Sequence, residues 1–125
     1  MVCKYILSYN QQMRNKRSLP KESSRRSPCP IACGLDIFGD RWTLLVIRDL
    51  FLGRTRFKEL VSSPEQPPTN ILSERLQRLV VAEIVEQIPS PDGSRHLAYQ
   101  LTRKGRALKP ILESMRDWGL KWVEG

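Results

Sequence analysis

From Ser27 onward the apolar residues recur at helical spacing, are interrupted once by a short extended stretch, and then return to helical spacing. The segment "SPCPIACGLDIFGDRW" places Pro30 at a first helical position, with Ile31, Leu35 and Phe38 at i, i+4 and i+7 and Gly39 as the stop. "TLLVIRDLFLG" predicts a second helix, capped by Thr43 and ended by Gly53, with Leu44, Ile47, Leu50 and Phe51 inward. "TRFKELVSS" predicts a third from Thr55, its apolar face formed by Phe57, Leu60 and Val61. Pro64 and the pair Pro67–Pro68 bracket a turn. Beyond it "TNILSERLQRL" predicts a helix from about Thr69 to Ala82. Leu72, Leu76 and Leu79 line one side of this helix, and Asn70, Ser73, Glu74 and Gln77 line the other at the same spacing.

The period then changes. "IVEQI" and "RHLAYQL" flank "PSPDGS", and an Asp-Gly between apolar-rich segments signals a β-hairpin. The last segment, "TRKGRALKPILESMRDWGLKWVEG", returns to a helix with Leu108, Ile111, Leu112, Met115, Trp118 and Trp122 in a wide apolar stripe. Pro110 should bend or loosen its first turns. The order of four helices, a hairpin and a helix predicts a mainly α fold with a small β-hairpin wing (α+β), a winged helix-turn-helix over residues 28–125. In that arrangement the second helix of the pair enters the major groove of DNA, and the hairpin tip reaches the backbone or the minor groove.

Composition refines this picture without redirecting it. The 125 residues fit one domain, no apolar run approaches the length of a membrane span, and the start has no signal-peptide pattern. A cytoplasmic protein with no membrane partner is the expectation. The net charge of +8 is unevenly spread, with +6 on residues 1–27 and +2 on the remainder. Residues 1–27 are polar, basic and serine-rich and read as a disordered leader; Met13 is an alternative start. Basic arms of this kind bind phosphate backbones without sequence preference or merely solubilise.

The blocks "CPI", "GDRWTLLVIRDLFLGRTRFKEL", "PTNILSERLQRL" and "YQLTRKGRAL" resemble, in order and spacing, the HxlR family of transcriptional regulators, winged-helix relatives of the MarR group. The resemblance covers about residues 28–122. It implies a homodimeric, sequence-specific DNA-binding regulator that dimerises through its terminal helices. It also implies that Cys29, the cysteine of the "CP" motif, is a candidate sensor of oxidants or electrophiles.

Side-chain chemistry supports the helix from Thr69 as the reader. Asn70 and Gln77 match adenine, Glu74 can accept from cytosine N4, and Ser73 is versatile. Thr69 can offer its hydroxyl and backbone N–H to a phosphate, and Arg75 and Arg78 lie on the flank where phosphates run. The competing reading is an ordinary solvated face. At the wing, Arg95, next to His96, suits insertion into a narrow minor groove. Arg54, Arg56, Arg103 and Lys104 are phosphate candidates or plain surface charge.

Three cysteines exclude a fully paired disulfide framework, and with a single histidine they leave no metal site. Cys29 precedes Pro30 at a helix N-cap, a position that favours negative charge, although a buried, inert thiol is the commoner fate. Cys33 is assigned no role. No cofactor is implied, and nothing points to a small-molecule effector. With no Gly-rich phosphate loop and no convergent acid–base pair, an enzyme is not expected. The stripe of Leu108, Ile111, Leu112, Met115, Trp118 and Trp122 exceeds what a small core needs and predicts a dimer interface. Two copies joined there would set their recognition helices about one DNA turn apart, roughly 34 Å, to meet a pseudo-palindromic double-stranded operator. The alternative is a winged-helix module that binds protein, kept open by the mild charge of the folded part and by Glu74.

Overall fold

The computed structural model describes residues 27–123. The leader assigned to residues 1–27, apart from Ser27, lies outside the described residues. The chain divides into two compact units, one ending at Gly39 and the other beginning at Asp40.

The first unit contributes α1 (Pro30–Phe38), which Pro30 opens where no backbone N–H is needed and which Cys29 precedes in an extended conformation. The Cys29 N–H donates to Ser27 Oγ at 3.1 Å, and the Gly39 N–H closes the helix on the Leu35 carbonyl at 2.7 Å. No residue of α1 is buried, so its expected apolar stripe of Ile31, Leu35 and Phe38 is only partly covered.

The second unit holds α2 (Thr43–Phe51), α3 (Phe57–Val61), α4 (Thr69–Val81), β1 (Val85–Pro89), β2 (Leu97–Leu101), a single turn α5 (Arg103–Arg106) and α6 (Lys109–Trp122). Its core is Val46, Ile47 and Leu50 from α2, Leu60 from α3, Leu72, Leu76 and Leu79 from α4, Ile84 and Val85, and Ala98 and Leu101 from β2. The strands pair antiparallel, from Val85 opposite Leu101 to Pro89 opposite Leu97. This is a winged helix-turn-helix, as the order of elements predicts.

Four local expectations are corrected. Thr43 is the first residue of α2, not its cap: Asp40 accepts from the N–H groups of Trp42 and Thr43 at 2.9 and 3.0 Å and from the Thr43 hydroxyl at 2.5 Å. Thr55 does not start α3. It runs beside the hairpin, its carbonyl accepting from the Tyr99 N–H at 2.8 Å while Arg56 bridges Ala98, and the helix starts only at Phe57. Leu44 and Phe51 are half-buried and Val46 takes the deep position instead. The final segment does not merely bend at Pro110. It breaks after α5, and Pro110 falls in the first turn of a new helix, where its missing N–H costs nothing.

Gly105 shows why α5 is separate. A Cβ there would lie 2.2 Å from the Ile84 carbonyl oxygen, so only glycine lets α5 press onto the α4–β1 junction. Thr102 fixes the same approach: its hydroxyl donates to the Glu83 carbonyl at 2.6 Å and its oxygen accepts from the Gly105 N–H at 3.1 Å.

Candidate nucleic-acid interface

The helix-turn-helix consists of α3, the turn 62–68 and α4. The turn is fastened by charge. The Arg48 guanidinium of α2 donates to Glu65 at 2.6 and 3.2 Å and to Ser63 Oγ at 3.1 Å, and it pairs with the buried Asp49 at 2.9 Å. The Arg48 hydrogen bond holds the Glu65 carboxyl at about 2, against an ordinary 4.5. Within the turn Gln66 adopts a left-handed φ of 51°, with its N–H on the Ser63 carbonyl at 2.8 Å. Arg54 closes the network from the other side by pairing with Asp49 at 2.7 Å. It is therefore held against the scaffold by a carboxylate.

α4 separates its two faces completely. Leu72, Leu76 and Leu79 are at most 1% exposed, whereas Asn70, Ser73, Glu74 and Gln77 are all exposed. Because these sets fall on opposite sides of one helix, the leucines that bind α4 to the core force the polar stripe outward. Thr69 is exposed in the first turn, and no side chain caps the amides behind Pro68. The basic flank is less free. Arg75 Nε sits 3.1 Å from Asp40 Oδ1, an ion pair whose angles do not make it an aligned hydrogen bond, and Arg75 also pairs with Glu74. Arg78 donates to Glu74 at 3.1 Å and lies 3.9 Å from Asp40. Asp40 thus joins the start of α2 to the middle of α4. Burial opposes its charge, but the Thr43 hydroxyl, the Trp42 N–H and Arg75 together hold its carboxyl at about 2.

At the wing tip Arg95 and His96 are exposed. With Arg56, Lys58, Phe57, Leu97 and Tyr99 they line a cleft of about 510 Å³ between the start of α3 and the hairpin. The cleft brings Arg56 and Arg95 together. Lys58 joins them, a residue that sequence reasoning missed and that only the approach of α3 to the wing reveals. Arg56 is engaged, donating to Asp92 at 2.8 Å and Ser94 at 3.1 Å. In α5, beyond the wing, Arg103 is exposed, while Lys104 donates to the Ala82 carbonyl at 2.8 Å and so caps the end of α4.

Among the described residues, much of the stripe proposed for dimerisation stays exposed. No residue of α6 is buried, and Met115, Trp118 and Trp122 are each more than half exposed. Leu108 and Leu112 are half-buried, and Ile111 is exposed. In the first unit Cys29 and Cys33 are free thiols, with the Cys33 sulfur 3.1 Å from the Ser27 carbonyl oxygen. Among the described residues no helix is long and apolar enough to cross a membrane.

The HxlR-like helix-turn-helix family matches residues 37–125. The chain belongs to the HxlR family. Relatives similar to it in sequence include the HTH-type transcriptional regulators YvaP and YodB of Bacillus subtilis (strain 168). YvaP is 33% identical over 72% of this chain and 83% of its own. YodB is 34% identical over 77% and 87%. A crystal structure of PA1607 matches with a TM-score of 0.74 at 42% identity over 81% of this chain and 70% of that one. The reduced form of YodB matches at 0.65 and 34% identity over 77% and 95%, and YodB has also been solved diamide-treated and quinone-bound. As an HxlR-type winged helix-turn-helix protein, this chain is a DNA-binding transcriptional regulator, and the matched relatives are regulators rather than enzymes.

Proposed function

We propose that the chain binds a pseudo-palindromic operator as a homodimer, with α4 reading base edges in the major groove and Arg95 of the wing entering the adjacent minor groove. The observation that carries this reading is the division of α4, which presents Asn70, Ser73, Glu74 and Gln77 to solvent from a helix locked down by three buried leucines. Thr69 and the uncapped amides of the first turn meet a phosphate, and Arg78 and Arg54 add positive charge for the backbone. Arg75, tied to Asp40 and Glu74, sets the helix on its scaffold as much as it faces DNA. The apolar face of α6, with Leu108, Ile111, Leu112, Met115, Trp118 and Trp122, joins the two copies.

The test is fluorescence anisotropy on the duplex upstream of the chain's own gene and on its scrambled counterpart, at near-physiological salt and again at higher salt. Preference for the native duplex by about a thousandfold or more is expected. Equal, salt-sensitive affinity for every duplex tested, continued across a genomic fragment library, would return the fold to the role of a protein-binding module.

The same reading extends to Cys29. It stands as a free thiol at the N-cap of α1, and the relative YodB has been solved in reduced and diamide-treated forms. Oxidant or electrophile attack at Cys29 is proposed to change operator affinity. Cys29→Ser should keep operator binding and lose its response to diamide; an undiminished response would remove the residue from this role.

A further inference from the structure

Thr55 and Arg56 lie against β2 like the stub of a third strand. From there the Arg56 guanidinium reaches a residue 36 positions later, donating to Asp92 Oδ2 at 2.8 Å, and also to Ser94 Oγ at 3.1 Å. The other oxygen of Asp92 accepts from Ser90 Oγ at 2.8 Å and from the Ser94 N–H at 2.9 Å. Gly93, at a φ of 77°, lets the chain turn through this knot, and Arg95 follows immediately. We infer that Arg56 is a positioning residue and not a phosphate contact: with Asp92 and Ser94 it fixes the wing tip in the conformation that presents Arg95 to DNA. The inference rests on the DNA-reading role proposed above for the wing.

The chemistry favours this assignment. The guanidinium already spends donors on a carboxylate and a hydroxyl, and its side chain is 22% exposed, so a phosphate would have to displace Asp92. Asp92 is a strong partner, because hydrogen bonds from the Ser94 N–H and the Ser90 and Ser94 hydroxyls, with the Arg56 charge, hold its carboxyl well below the usual carboxylate range. Without the knot the loop from Ser90 to His96 would have to be ordered when DNA arrives, and that ordering would be subtracted from affinity.

The two roles for Arg56 predict opposite signs for one substitution. If Arg56 bound phosphate, Asp92→Asn would free it and delete a negative charge, tightening DNA binding. If Arg56 positions the wing, Asp92→Asn weakens binding as Arg56→Gln does. The experiment uses the full chain as wild type, Arg56→Gln, Asp92→Asn and the double variant. Each is titrated over a salt series with the duplex that the wild type binds best, and backbone order for residues 92–96 is measured by 15N relaxation without DNA. We expect both single variants to lose order at the tip alone and to bind DNA about fivefold to tenfold more weakly. Their salt slopes should flatten by the same small amount, because both lose the one cation, Arg95, that the wing brings to the DNA. The double variant should be no worse than Arg56→Gln. Unchanged order at the tip, or Asp92→Asn binding as tightly as wild type or tighter, overturns the proposal. If the wild type prefers no duplex, the operator reading fails by itself, and the relaxation data still decide whether Arg56 and Asp92 hold the wing.

Discussion

Asp40 ties two helices of the second unit together, since it caps α2 and draws Arg75 and Arg78 of α4 towards it. Its depressed carboxyl makes that role dependent on pH. A group whose folded value is about 2 against an ordinary 3.8 stabilises the fold fully above about pH 4, and loses that contribution as the pH falls through 2. Asp40→Asn keeps a capping oxygen but drops the charge. In urea titrations at neutral pH it should therefore be less stable than wild type by on the order of 1–2 kcal/mol. The gap should close between about pH 4 and pH 2. A gap that persisted at pH 2 would show that the charge was not its source. Single residues also mark the limit of reading a sequence. Gly53, at φ 92°, and Glu83, at φ 60°, occupy the same left-handed position after α2 and α4, and both helices end in the same pair of backbone bonds. Glycine announces such a position and glutamate does not: the end of α4 near Ala82 was legible from the change of period, but the left-handed turn at Glu83 was not.

At the scale of elements, what could be read depended on whether the deciding contact was local. α4 was legible because prolines open it and three leucines at helical spacing bury it, and the hairpin was legible because Asp92–Gly93 marks its turn. The stub at Thr55 and Arg56 was not, because its partners Tyr99 and Ala98 lie some 40 residues away and nothing in "RTRFKEL" announces them. The same holds at the site: the polar stripe of α4 follows from periodicity, whereas Asp92, which holds Arg56, and Asp40, which pairs with Arg75, come from distant segments. Two adjacent residues of α4 allow the separation of faces to be tested. Leu76→Ala opens space in a packed core and should cost about 2–5 kcal/mol of stability. Gln77→Ala, one residue on and fully outward, should leave stability within about 0.5 kcal/mol. It should nevertheless cost roughly 1–3 kcal/mol on the preferred duplex while sparing scrambled DNA. Thermal unfolding with paired anisotropy titrations measures both effects. A Gln77 variant that weakened all DNA equally would reassign the residue from base reading to general attraction.

On the scale of the whole molecule the decisive imbalance is α6. It is a 14-residue helix of which no residue is buried, and its first turn carries a proline. An isolated helix of this length is marginal in water, because the cost of nucleation is recovered only when an apolar face is covered. Its side towards α2 is partly used, along a groove lined by Leu44, Phe51, Leu112 and Met115, but Trp118, Leu120 and Trp122 extend past that groove. If a second copy covers them, as proposed, association and helix formation are one equilibrium, and stability must depend on concentration. Trp118→Glu places a charge in the centre of that face. It should convert a dimer to a monomer in sedimentation equilibrium, lower the helical circular dichroism, and remove the rise in melting temperature with protein concentration expected of the wild type. DNA binding should suffer more than any single contact explains, because two half-sites are then occupied by independent molecules instead of one rigid pair. A variant that stayed helical and monomeric, alongside a wild type that was monomeric too, would mean that α6 is stable uncovered. The spacing of the two recognition helices would then have to be set by a different surface.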